Sequence, residues 1–216
     1  MEEYEKLNLL QEAFYQAKEF AKDTGLYNNP NKTKVLNQIL YNTQKIYLSF
    51  LSNLSSDKDK LYHKEIKDFL NDLEIKNYTI YKDGTVDVNG DVYLASLGLT
   101  KIPVKFGKVT GNFNCSNNQL TSLEYAPKEV NGYFNCSNNQ LTSLEYAPKE
   151  VTGSFYCSNN NLTSLEYAPK TTGSFNCSNN KLTSLEYAPK EVNGYFNCSN
   201  NQLTSLEYTS KIKFLY

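Results

Sequence analysis

From about residue 90 to residue 209 the apolar positions recur in a fixed order: an alternating pair, a polar stretch ending in asparagine, two leucines three apart, then a proline. One copy reads Gly132-Tyr133-Phe134-Asn135-Cys136, followed by Asn139, Leu141, Leu144 and Pro148. Alternation sends Phe134 and Cys136 to one face of a short strand and Tyr133 and Asn135 to the other. The unit's glycines fall at Gly111, Gly132, Gly153, Gly173 and Gly194, so the steps are 21, 21, 20 and 21 residues. The short step, ending Lys170-Thr171-Thr172-Gly173, reads as the loss of a Glu-Val equivalent. A divergent copy, with Gly90, Val92, Leu94, Leu99, Thr100 and Ile102 in matching places, brings the expected number of rungs to six. No such unit can bury its apolar face alone, so successive units must stack with their strands parallel.

Upstream the period changes. Tyr4, Leu7, Leu10, Phe14 and Ala17 follow helical spacing, as do Val35, Ile39, Ile46, Phe50 and Leu54. A third helix is predicted from about Asp57 to Leu73, opened by Ser55 or Ser56. Thr79-Ile80-Tyr81 and Thr85-Val86-Asp87-Val88 flank Lys82-Asp83-Gly84, a hairpin signal leading into the first rung. The expected division is a helical unit at 1–76, a hairpin at 77–89 and the stacked repeats at 90–216.

Each rung carries Phe-x-Cys-x-x-Asn-x-Leu-x-x-Leu, which resembles the leucine-rich-repeat pattern over about 120 residues. The resemblance is to the 20–21-residue bacterial and phage-type repeats, including those of secreted bacterial effectors; nothing here matches the ubiquitin-ligase domain that such effectors can carry. It implies an α+β fold: a short leucine-rich-repeat solenoid of six parallel rungs with an N-terminal helical cap and a β-hairpin. The Asn column (Asn118, Asn139, Asn160, Asn180, Asn201) should turn inward onto backbone groups. The outward strand residues should form a concave binding face.

Composition narrows the function. The net charge of −1 gives no general attraction to nucleic acid or anionic membranes. All 22 basic residues are lysine, so the forked arginine contacts that read guanine and phosphate are missing. No apolar run approaches the roughly 20 residues that span a bilayer, and the start lacks a signal peptide's basic and apolar regions. The five cysteines sit at repeat spacing, which reads as reduced thiols and a cytoplasmic setting, the cytoplasm of an infected host included.

Candidate chemistry is sparse. Cys115, Cys136, Cys157, Cys177 and Cys198 lack the convergent geometry of a thiolate metal site and read as small apolar core residues. His63, the single histidine, reads as part of a lysine-rich solvated helix face. The Glu124 and Lys128 columns are expected to lie side by side and neutralise one another. No nucleophile–base pair, metal set or phosphate loop is visible, so no enzyme and no cofactor is expected. Outward threonines at the Thr121 position raise an ice- or glycan-binding alternative, weakened by the missing export signal.

The copies differ mainly outside the core. One variable column is Asn112, Tyr133, Ser154, Ser174 and Tyr195; a second is Asn114, Asn135, Tyr156, Asn176 and Asn197; a third follows Gln119. With Asp91 and Tyr93 of the first rung, the first two make a Tyr/Asn/Ser surface of the kind that recognises proteins. Drift on solvated positions after recent duplication is the competing reading. A structural or self-assembling solenoid, joining a second copy through its C-terminal edge, is the alternative function.

Overall fold

The computed structural model describes residues 12, 15, 16, 58–207 and 214–215. The expected helices over 4–17 and 35–54 lie outside the described residues, apart from 12, 15 and 16, which are helical.

Helix α1, Lys58–Asp72, buries Ile66 and Leu70 on one face. It ends where Glu74 takes a positive φ of 59° and the Ile75 N–H donates to Leu70 O at 2.9 Å. Strand β1, Tyr78–Ile80, then pairs antiparallel with β2, Val86–Val88, as the hairpin signal predicts. Asp83 accepts the Thr85 N–H, and Gly84 supplies the positive φ that the turn requires. A Cβ at Gly84 would collide with the Tyr62 ring, so α1 docks directly on this turn.

The repeats form a parallel β-solenoid of about five turns. One ladder holds the short strands β3 (Val92–Tyr93), β5 (Phe113–Asn114), β7 (Phe134–Asn135), β9 (Phe155–Tyr156), β11 (Phe175–Asn176) and β13 (Tyr195–Asn197), with β14 (Phe214–Leu215) added at the far edge. Register is in step with the repeat, Phe113 opposite Phe134 and Phe134 opposite Phe155. The phenylalanine rings stack at 5.2–5.6 Å from Phe113 to Phe196, and Phe106 closes the column edge-on at 5.3 Å. Each ring is almost fully buried, which stabilises the stack by about 2–3 kcal/mol apiece. One continuous core runs from Ile66 and Leu70 of α1 through the hairpin to Cys198.

The inward asparagines tie rung to rung. Asn139 donates from Nδ2 to Cys115 O of the preceding rung and Cys136 O of its own, while its Oδ1 accepts the Leu120 N–H. Asn118, Asn160, Asn180 and Asn201 repeat this pattern. The cysteines are free and buried, as filler requires.

A second ladder on the other side of the rung was not expected. It runs β1-β2-β4-β6-β8, with β4 at Phe106–Val109, β6 at Glu129–Val130 and β8 at Glu150–Val151. Strands β10 (Thr171–Thr172) and β12 (Glu191–Val192) pair separately. The break falls at the short rung and corrects its reading. Thr171 and Thr172 sit opposite Glu191 and Val192, so the Glu-Val places are kept. What is lost is the residue before the glycine, Asn131, Thr152 or Asn193 in the other rungs. Thr172, almost fully buried, turns its hydroxyl to Gly153 O at 2.8 Å across the break.

Two further expectations are corrected. Lys105 pairs with Asp83 and Lys108 with Glu129, whereas among the described residues no ion pair joins the Glu124 and Lys128 columns. Lys108 meets the strand residue Glu129 instead because β4 and β6 place them opposite one another. His63 is half-buried, not simply solvated, and its Nε2 donates to Tyr81 O at 2.9 Å, pinning α1 to the hairpin.

Candidate functional site

Because Phe and Cys of each strand point inward, the alternate residues share the outer face of the seven-stranded sheet. The structure brings the predicted residues together there, and it separates them by role. In the first column, each small polar side chain accepts the backbone N–H of the next rung: Asp91 from Asn112 at 2.6 Å, Asn112 from Tyr133 at 3.0 Å, Ser154 from Ser174 and Ser174 from Tyr195 at 3.2 Å. In the second column the asparagines cap their own rung. Asn114, Asn135, Asn176 and Asn197 each accept the N–H of the serine two residues on, at 3.0–3.1 Å.

The tyrosines interrupt both series. Tyr133 stands where an acceptor for the Ser154 N–H would be, and Tyr156 stands where an acceptor for the Ser158 N–H would be. A phenol ring cannot fold back to accept from these amides as a short carboxamide or hydroxyl does. The asparagines and serines at these positions therefore have a structural explanation, and the tyrosines do not.

The same rings lie close together. Tyr133 and Tyr156 sit with centroids 6.2 Å apart at 54°. Burial, with the neighbouring Tyr156 hydroxyl across the rung of β11, pushes the Tyr195 hydroxyl up to about 12. At the first rung Tyr93 is 51% exposed and donates to Asp91 at 2.9 Å, which raises its pKa. Tyr133 and Tyr195 thus stand on either side of the small Ser154 and Ser174 in the same column.

Variation between copies did not reveal another tyrosine column. Tyr125, Tyr146, Tyr167 and Tyr187 recur unchanged where the first rung has Val104, are 40–58% exposed, and all have positive φ of 66–74°. That backbone region is unfavourable for an aromatic residue, so position-specific Gly or Asn would be the usual choice. The usable signal was a bulky residue kept beside Glu in a turn. Ser122 and its equivalents accept the N–H of the glutamate two residues on at 3.0 Å, so they cap that turn and do not extend the exposed threonine array.

A shallow 340 Å³ cavity between the hairpin and β4 is lined by Asn77, Tyr78, Thr79, Asp87, Lys108 and Thr110 among others. Its polar groups are satisfied internally: Asp87 accepts the Lys108 N–H and the Tyr81 hydroxyl, and Lys108 pairs with Glu129. Among the described residues no group of three His, Cys, Asp or Glu side chains is placed to hold a metal ion, and no helix is long and apolar enough to cross a membrane. No family model, curated protein or solved structure matches the chain.

Proposed function

We propose that the chain is a non-catalytic protein-binding module of the leucine-rich-repeat kind, with six rungs and with the outer face of its seven-stranded sheet as the binding surface. The setting suggested by its resemblance is a bacterial or phage-encoded protein acting inside a cell, where it captures or inhibits another protein. The observation that carries the reading is the position of the tyrosines. Tyr133 and Tyr156 each displace a hydrogen bond that other rungs make in the same column, their rings lie 6.2 Å apart, and Tyr156 neighbours the Tyr195 hydroxyl. Drift would scatter replacements that leave backbone amides unsatisfied; among the rungs of β5 to β13 both fall on the amides of one rung, that of β9. Tyrosine supplies rigid, amphipathic contact area at small entropic cost.

Copurification from bacterial lysate tests it. The wild-type chain should retain a specific protein that the Tyr133→Ala, Tyr156→Ala, Tyr195→Ala triple variant loses. Equal recovery by a folded triple variant would remove this face from the account. The self-assembly alternative now concerns the edge of β14, since β14 already pairs with β13.

A further inference from the structure

Among the rungs of β5 to β13, that of β9 is the one where both outward columns fail to supply an acceptor. At Ser154 the preceding rung offers Tyr133 in place of Asn112 or Ser174, and at Ser158 its own rung offers Tyr156 in place of Asn135 or Asn176. Among the described residues neither amide has an acceptor. In the other rungs the oxygens that meet these amides belong to side chains of the outward columns, so an acceptor reaches them from that face, to a half-buried Ser154 and a Ser158 that is 8% exposed. The remaining polar groups nearby are donors as well. Ser154 Oγ and Ser174 Oγ already accept backbone N–H groups, which leaves their hydroxyl protons to be given outward. No outward residue of β7, β9, β11 or β13 is charged, and the one carboxylate in these columns, Asp91, lies on the rung of β3 and is held by Tyr93.

A face that offers unmet amide donors and aromatic rings, with no repelling acid, is complementary to oxygen anions. We propose that this face binds an acidic peptide segment of its protein partner, extended along β9, with carboxylates taking the Ser154 and Ser158 amides. The inference rests on the protein-binding reading above and names the chemistry of the bound segment. The two amides are four residues apart, about 13 Å along a strand. Acidic residues at positions one and five of an extended segment lie on one side at the same spacing. Carboxylate acceptors strengthen each such bond relative to neutral ones, and the tyrosine rings cover the segment's apolar atoms.

The test is an amide-resolved NMR titration of the full chain with a capped pentapeptide bearing glutamate at its first and fifth positions. The Ser154 and Ser158 amide protons should move downfield and saturate, and the same peptide with glutamine at both places should bind roughly tenfold more weakly. Tyr133→Ser restores an acceptor for Ser154 and should abolish its response while Ser158 still responds; Tyr156→Asn should do the reverse. Unmoved amides, an equal response to the glutamine peptide, or a Ser154 response that survives in a folded Tyr133→Ser variant would overturn the proposal. Copurified partner that depends on the tyrosines, combined with silent amides, would sink this inference alone; partner recovery indifferent to the tyrosines would sink the reading beneath it.

Discussion

Asn160 and Leu141 meet across the boundary between two rungs: Asn160 Oδ1 accepts the Leu141 N–H at 3.0 Å. The same carboxamide donates backward to Cys136 O at 3.0 Å and locally to Cys157 O at 3.2 Å. One buried side chain therefore satisfies backbone groups of consecutive turns, and stacking depends on it as much as on the phenylalanine column.

Asn160→Ala should cost about 2–3 kcal/mol, because it strands the buried Leu141 N–H and leaves Cys136 O and Cys157 O with one carboxamide donor each, from Asn139 and Asn180. Asn201→Ala, in the half-buried last repeat, should cost less, since water can replace the lost partners there. Urea unfolding of both variants checks the order; equal losses would mean that the column is not the tie between rungs.

The rung glycines should differ in their tolerance of a methyl group. A Cβ at Gly153 would lie 2.6 Å from Gly132 O and 2.7 Å from its carbonyl carbon, whereas one at Gly173, beyond the short step, would lie 3.1 Å from Gly153 O. Gly153→Ala should cost about 3 kcal/mol and Gly173→Ala about 1 kcal/mol, in the range of overpacked sites. Thermal unfolding of the pair measures the difference.

Alkaline pH should loosen the stack. Burial pushes the Cys115 thiol from its ordinary 9.0 up to about 12, and the Cys136 and Cys157 thiols are also raised, chiefly by burial. The folded chain keeps these protons where the unfolded chain releases them. Their contribution is thus complete below pH 9 and is lost as pH rises from 9 towards 12, by up to about 1.4 kcal/mol per thiol per pH unit. Unfolding midpoints at about pH 8 and about pH 10 should show a smaller drop in Cys136→Ala than in the wild type, whatever its absolute stability.

At Tyr133 the identity of the replacement should matter. Tyr133→Asn restores an acceptor for the Ser154 N–H of the kind Asn112 provides for Tyr133, and Tyr133→Ala does not. Both lose the contact with the Tyr156 ring. The asparagine variant should be the more stable of the two by about 1 kcal/mol, as denaturant titration can show.

How far the sequence foretold this structure depended on whether a feature repeats with a clear period. The Phe–Cys alternation and the Asn column identify the inward face of every rung, and Lys58–Asp72 and the hairpin at Tyr78–Val88 appear where helical and turn signals place them. The second ladder escaped notice because two-residue strands such as Glu129–Val130 offer a single buried position, too little for a period to show. The Lys108–Glu129 pair followed from that ladder and could not be seen without it. In the outward columns, sequence variation picked out residues that share the outer face of the sheet but mixed two kinds of residue. Asn112 and Ser154 serve the neighbouring rung, a role visible only once the backbone N–H of Tyr133 and of Ser174 is located beside them.

The central claim is that the outer-face tyrosines are there for a partner and not for the fold. It is tested most directly by quantifying partner recovery with the Tyr133→Asn, Tyr156→Asn, Tyr195→Ser variant, whose replacements supply the side chains the other rungs carry. The account predicts a chain at least as well folded as its alanine counterpart that retains little or no partner. Undiminished recovery by that repaired surface would contradict it.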